Sequence, residues 1–345
     1  YTLFIFLFAA MLCVASFADE HSHCVCGKAE HTDVGTHTEA DLRTFTAWES
    51  SDSLPTGFGY FYLTTDVTLD KKAWSPADDT VLCLNGHTIK RLFGGAIISI
   101  PNNGYSFTLC DCKENNGLIT HNCSETKVTG FAIKIGTNSG FTMYGGRIAD
   151  NSTSETDTFP YTAVGNFGTF RLFGGIITDN LNHRDNGGAV YNQKYMYIAG
   201  DVTVTGNKKT VDGRTSDANI FTSTPVNVAG ALTGGNVGLG AASTRTLLAS
   251  GSKYTITDDD FAKLFCDKKG FNLVKNNYGI GVIAEHTHCI CGTHKVYFNH
   301  IDESTYGFAP WDDPTSLPTK QGYYYLTTDV TLTEPLGESV CDGIC

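Results

Sequence analysis

The chain has 345 residues, with 24 Lys and Arg against 36 Asp and Glu, a net charge of −12. That balance argues against nucleic acid and anionic membrane surfaces as partners, because both select basic faces. The 37 Gly residues, with frequent Thr, Asn, Tyr and Phe, suit many short strands joined by tight turns, and helix-period patterns are scarce.

Tyr1 to Ala18 carries no charged residue, and Ser16-Phe17-Ala18 places small residues at the −3 and −1 positions of a cleavage site. This predicts the core and cleavage site of a secretory signal peptide over 1–18, lacking its basic start. The apolar run is short for a bilayer span. No later run is long and apolar enough to span, so the mature chain is expected to be exported, without a membrane span.

Residues 19–80 read as a small entry module. His21, His23, Cys24, Cys26, His31 and His37 cluster in it. Thiolate and imidazole together suit a tetrahedral zinc site, with His23, Cys24 and Cys26 as candidate ligands. The Cys-x-Cys spacing is tighter than usual for zinc. A disulfide is the common fate of cysteines in an exported chain, and a solvated linker without metal is the third reading; all three stay open. Tyr60-Phe61-Tyr62 lies in a strand-like run. If one face is solvated, Tyr60 and Tyr62 are exposed and can stack on a sugar ring or anchor a protein. The competing reading packs them onto the first coil. Trp48 is expected in the core.

Residues 81–254 carry a short internal period. Gly140-Phe141-Thr142-Met143-Tyr144-Gly145-Gly146-Arg147-Ile148-Ala149-Asp150-Asn151 is echoed by Gly168-Thr169-Phe170-Arg171-Leu172-Phe173-Gly174-Gly175-Ile176-Ile177-Thr178-Asp179-Asn180, and again by Tyr195 to Asn207. The alanines Ala96, Ala132, Ala163, Ala189 and Ala218 step by 36, 31, 26 and 29 residues. Each unit holds three short alternating segments separated by Gly, Asn or Asp. Such a unit cannot bury its inner face alone, whereas stacked units bury a continuous apolar column. This predicts a parallel β-helix with its insertions at the corners. Asn151, Asn180 and Asn207 close successive units as a structural ladder, with Asn122 at the comparable place. Cys83 and Cys110 are expected as inward-facing neighbours in one stack, and Cys110, Cys112 and Cys123 leave a bridge of undetermined pairing.

Residues 255–285 predict a cap: a short helix begun by Thr257 with an acidic first turn, then a hairpin from Gly270 to Ile283. Residues 286–345 repeat the beginning. His21-Ser22-His23-Cys24-Val25-Cys26-Gly27 returns as His286-Thr287-His288-Cys289-Ile290-Cys291-Gly292, 265 residues later, and Gly59-Tyr60-Phe61-Tyr62-Leu63-Thr64-Thr65-Asp66 returns at Gly322, 263 residues later. The chain therefore reads as one module plus the start of the next, a slice of an array that continues into further modules. His288, Cys289 and Cys291 repeat the candidate metal ligands, and Tyr323 and Tyr325 repeat the candidate ligand-binding tyrosines.

The stretches Leu82-Cys83-Leu84-Asn85-Gly86-His87-Thr88-Ile89 and Leu109-Cys110-Asp111-Cys112, with the Gly-Gly-x-Ile-x-Asp-Asn units, resemble large exported, adhesin-like proteins of anaerobic gut Firmicutes. The likeness covers nearly the whole mature chain. It implies an all-β, pectate-lyase-like, right-handed parallel β-helix on the cell surface. Gly94-Gly95-Ala96-Ile97 and Gly187-Gly188-Ala189-Val190 more weakly resemble the repeats of chlamydial polymorphic membrane proteins. Neither resemblance implies catalytic residues.

The expected function is a non-catalytic surface protein, adhesin-like or a structural stalk, meeting a host or neighbouring-cell glycan or protein. The alternative is a polysaccharide lyase or glycoside hydrolase. Asp150 and Asp179 occupy equivalent positions, which adjacent strands would place ~4.8 Å apart, within reach of retaining glycoside chemistry. Asp is also common at such turns for backbone reasons. No nucleophile motif or phosphate loop appears, so no cofactor is expected beyond zinc at the His/Cys clusters.

Overall fold

The computed structural model describes residues 21–26, 42–156, 160–185, 187–240, 248–251, 253–276, 279–284, 286–288 and 306–332. The expected signal peptide, His31, His37, Cys289, Cys291, His294 and His300 lie outside these residues, and of His288 only the backbone is described. Among the described residues the chain is mostly β, with two four-residue helices and a 22-stranded, largely parallel sheet. No helix among them is long and apolar enough to cross a membrane.

The strands fall into three parallel rows. The first contains Thr46–Trp48, Gly59–Leu63, Thr80–Cys83, Ser106–Cys110, Gly140–Met143, the leading halves of Thr169–Thr178 and Tyr195–Val204, and Val226–Gly234. The second contains Val67–Leu69, Thr88–Arg91, Leu118–Thr120, Arg147–Ala149 and the trailing halves of the two long strands. The third contains Gly95–Ile100, Gly130–Ile135, Tyr161–Asn166, Gly188–Asn192 and Ile220–Thr222. From Thr80 to Thr222 the chain visits the rows in order and returns to the first, so each sequence unit places its next copy one strand further along.

Registry follows from alternation. Leu82, Leu109, Met143, Leu172 and Ile198 pair in sequence along the first row and are fully buried. Phe107, Phe141 and Phe170 form a second buried column, their rings stacked at 5.5 and 5.2 Å. A one-residue slip would turn both columns to the opposite face, which pins the pairing. The expected alanine column is in register only at Ala132, Ala163 and Ala189. Ala96 pairs with Phe131, which leaves Ile97 to fill the equivalent inner site.

The asparagine ladder runs differently at both ends from the sequence expectation. The Nδ2 of Asn151 donates to Asn180 Oδ1 (3.0 Å), that of Asn180 to Asn207 Oδ1 (2.8 Å), and that of Asn207 to Asn219 Oδ1 (3.0 Å). Asn219 then donates to Asp267 from its backbone N (2.7 Å) and Nδ2 (2.6 Å). At the other end His121, not Asn122, occupies the ladder, donating to Asn151 Oδ1 from its backbone N (3.0 Å) and Nδ1 (2.9 Å). Asn122 instead takes a left-handed conformation (φ 51°), the one Asp150 and Asp179 adopt at φ 52° and 55°. Burial pushes the Asp267 carboxyl up to about 6, although its side chain keeps some contact with solvent. A folded value above the unfolded one means a stability contribution present in acid and lost as pH rises through about 6.

The cap matches expectation in kind. Asp258–Phe261 is a helix whose capping box joins Thr257 and Asp260, and Asp260 also accepts from Leu232 N (2.8 Å). Phe271–Asn276 pairs antiparallel with Gly279–Ala284, and Ala249 pairs antiparallel with Ile280. This hairpin sits where the first row ends, covering an edge that would otherwise present open backbone groups. The rows begin at Thr46, inside the expected entry module 19–80. Trp48 packs against the main core there, and Leu63 and Val67 belong to it.

Candidate metal centre

The outward face of the first row carries an apolar strip beside a column of Thr108, Thr142, Arg171 and Tyr197. Val81, Cys83, Cys110, Tyr144, Phe173 and Ala199 alternate with the inward residues and form a second buried cluster. Left open, this strip would be an exposed apolar patch. A small flap covers its first part. Ser22–Cys24 pairs antiparallel with Leu42–Thr44, and Cys24, Cys26 and Phe45 pack into the same cluster. The flap docks through the His21 ring, which stacks on Tyr62 with centroids 3.9 Å apart, and within the flap His23 stacks on Phe45 at 4.1 Å.

Cys83 and Cys110 are strand partners in register. They face away from Leu82 and Leu109, so the expectation of inward-facing cysteines is corrected. They are buried because the flap lies over them. After Cys83 the chain turns through Asn85 and Gly86, both left-handed (φ 49° and 79°). Asp111 fixes this turn and its own loop, accepting from Gly86 N (2.8 Å), Lys113 N (3.2 Å) and Gly117 N (2.7 Å). The Leu-Asn-Gly-His sequence and the Cys-Asp-Cys sequence thereby set Cys112 beside Cys83.

One ligand atom each from His21, His23, Cys83 and Cys112 lies within 4.8 Å of all the others, a set that could hold a metal ion. His23 Nδ1 sits 2.6 Å from the Cys24 carbonyl oxygen. A carbonyl only accepts, so Nδ1 carries the proton and Nε2 keeps its lone pair. That Nε2 is buried and has no hydrogen-bond partner. Cys112 Sγ is 3.6 Å from His21 Nε2 and donates to Asn85 Oδ1 at 3.3 Å. The hydrogen bond with Cys110, then burial, holds the Cys83 thiol well above the usual range, and the bond with Cys83, then burial, does the same for Cys112. Burial, with His23 and Lys113 nearby, lowers the His21 imidazole.

Of the cluster singled out by sequence in the first module, His21 and the candidate ligand His23 belong to this group. Cys24 and Cys26 do not; they are buried in the apolar cluster. Cys83 and Cys112, far along the chain, supply the sulfur donors instead. Cys123 Sγ donates to Val128 O (2.6 Å), and Cys26, Cys83, Cys110, Cys112, Cys123 and Cys266 form no disulfide. Tyr60 and Tyr62 are half-buried under the flap rather than presented to solvent. Tyr60 packs edge-on to Phe45 at 5.7 Å and accepts from Arg43 Nε (3.2 Å). Asp150 accepts from Ser124 N (3.0 Å) and Oγ (2.7 Å), and its own N donates to Asp179 O (3.2 Å). Both carboxylates thus sit at left-handed turn positions.

Among the described residues the second copy repeats several contacts of the first. Phe308 and Tyr323 repeat the ring pair of Phe45 and Tyr60, at 5.6 against 5.7 Å. Trp311 and Tyr324 repeat the perpendicular pair of Trp48 and Phe61, at 5.8 against 6.0 Å. Trp311 Nε1 donates to Ser316 O, as Trp48 Nε1 does to Ser53 O, both at 2.7 Å. His286–His288 pairs antiparallel with the strand that begins at Tyr306. Tyr323 touches Phe308 yet stays exposed at 39%, as the sequence predicts, whereas Tyr325 is half-buried. Comparison with protein-family models, curated proteins and solved structures finds no match to the chain.

Proposed function

We propose that the chain is a module of an exported surface rod, a right-handed parallel β-helix serving as an adhesin-like or structural stalk. The observation that carries this reading is the recurrence of ring pairs, strand pairing and indole hydrogen bonds at the start of the second copy. A unit that begins again in the same conformation, held to its predecessor by contacts such as Arg214 over the Trp311 ring, builds length. The three rows visited in order support one coil turn per unit, and the turn asparagines and aspartates support a structural rather than catalytic use of the corners. The His/Cys donor set suits zinc, which favours sulfur and imidazole in a tetrahedral shell.

A glycan contact is the second part of the reading. A groove on the second row, as apolar as it is polar, is lined by Asp66, Val67, Thr68, Thr88, Lys90, Leu118, Thr120, Asn122 and Asp150, a mixture suited to the hydroxyls and the apolar faces of a sugar. A polysaccharide panel on the purified chain, scoring both retention and release of reducing or unsaturated ends, tests it. Retention without product is the expected result. Product formation that Asp150→Asn abolishes would make the protein a carbohydrase instead.

A further inference from the structure

The four-donor cluster joins parts of the chain that the rows do not connect. His21 and His23 come from the flap, Cys83 and Cys112 from the coil. Among the described residues the flap's backbone pairing is with itself, Ser22 to Thr44 and Cys24 to Leu42. Its second strand runs on through Phe45 into Thr46–Trp48 of the first row, and the rest of its hold on the rows is ring stacking, apolar burial and the Arg43 to Tyr60 hydrogen bond. A strand of three residues paired with another of three is marginal by itself in water.

We infer that zinc at His21, His23, Cys83 and Cys112 is the clasp that fastens the flap to the coil, an inference that rests on the zinc reading above. Two independent features of the site support it. The His23 Nε2 lone pair is buried, without a partner, while Nδ1 is committed to the Cys24 carbonyl. This is the outer-shell arrangement by which proteins orient a metal-bound imidazole. The ligands also number four, two nitrogen and two sulfur, which completes a tetrahedral shell with no position left for substrate and marks a structural site. The apolar cluster beneath, including Cys110 and Phe45, excludes water from one side. The metal links residues 91 positions apart, His21 and Cys112, so its loss frees the flap without dismantling the rows.

The clasp assigns Cys24 and Cys26 to packing, against their resemblance to a Cys-x-Cys metal ligand pair. This makes the ligand set testable by comparing single substitutions in the full chain under reducing conditions. Zinc content per chain is measured together with amide hydrogen exchange across residues 21–26 and 42–45, before and after chelation. Cys112→Ser is expected to lower zinc content by one per chain, and Cys26→Ser to leave it unchanged. Chelation of the parent chain is expected to speed exchange in the flap at least tenfold while the strand Gly140–Met143 stays protected. Cobalt(II) in place of zinc is expected to give a thiolate charge-transfer band that Cys112→Ser weakens. Zinc that binds and responds to Cys112→Ser, with flap exchange unaltered on chelation, would overturn the clasp and leave the metal site standing. A chain that takes up no zinc overturns both, and zinc lost with Cys26→Ser overturns the ligand assignment.

Discussion

Phe141→Ala is expected to lower the unfolding free energy by about 3–5 kcal/mol. The Phe141 ring is fully buried between those of Phe107 and Phe170, nearly parallel to each at 8° and 4°. Its neighbours above and below are strands whose backbones are fixed by pairing on both sides, Phe141 to Phe107 and to Phe170. Neither strand can move into the vacated space without breaking its own ladder, so the cavity stays open and the upper part of the range applies. Urea denaturation followed by tryptophan fluorescence and far-ultraviolet circular dichroism reads the loss. Phe141→Leu keeps most of the volume and should cost less. Equal losses for the two would show that the site is not packed as described.

Asn180→Leu is expected to cost at least about 3 kcal/mol despite the matched size. Asn180 Nδ2 donates to Ile148 O (3.1 Å), Thr178 O (2.8 Å) and Asn207 Oδ1 (2.8 Å), and its Oδ1 accepts from Asn151 N (3.2 Å) and Nδ2 (3.0 Å). Leucine removes all of these and strands Asn151 N in a buried setting. Each buried polar group left without a partner costs about 1–3 kcal/mol. Asn122→Gly is the control. Asn122 is outside the ladder and left-handed, a conformation glycine adopts freely, so the change should stay within about 0.5 kcal/mol. The same urea series compares them, and similar midpoints for the two variants would remove the ladder from the account of stability.

Much of the large parallel sheet was legible because its cause is local. Strand alternation, Gly-Gly corners and repeated Asn positions are properties of a dozen residues at a time, and they predict the stacked units, the Thr257 cap and the hairpin. Two kinds of feature were hidden. The ladder's ends depend on what occupies a position in space: His121 serves as well as Asn because its backbone N and Nδ1 both reach Asn151, and Asp267 closes the far end 48 residues beyond Asn219. Spacing alone pointed to Asn122, which the turn rotates away. The metal centre depends on which face of a strand each cysteine takes. Cys83 next to Leu82 and Cys110 next to Leu109 look alike for burial, and alternation permits either to be the inner residue. What decides it is the column of Leu82, Leu109, Met143 and Leu172, and that register appears only when the strands are paired. The repeated His-x-His-Cys-x-Cys drew attention to the flap that supplies His21 and His23, whereas the sulfurs that lie beside them are those of Cys83 and Cys112.

Distances between spin labels placed along one row test the stacked coil most directly. Thr108, Thr142, Arg171, Tyr197 and Asn227 pair in succession on the outward side of the first row. Nitroxides are introduced through unnatural amino acids, which leaves the native cysteines untouched. Double electron–electron resonance between positions 108 and 227 spans four strand steps, and between 142 and 227 it spans three. At ~4.8 Å per step, the backbone separations are about 19 and 14 Å, so the two mean distances should differ by about 5 Å in narrow distributions. Two distances that coincide, or that rank in the opposite order, would contradict the stacking of one unit upon the next.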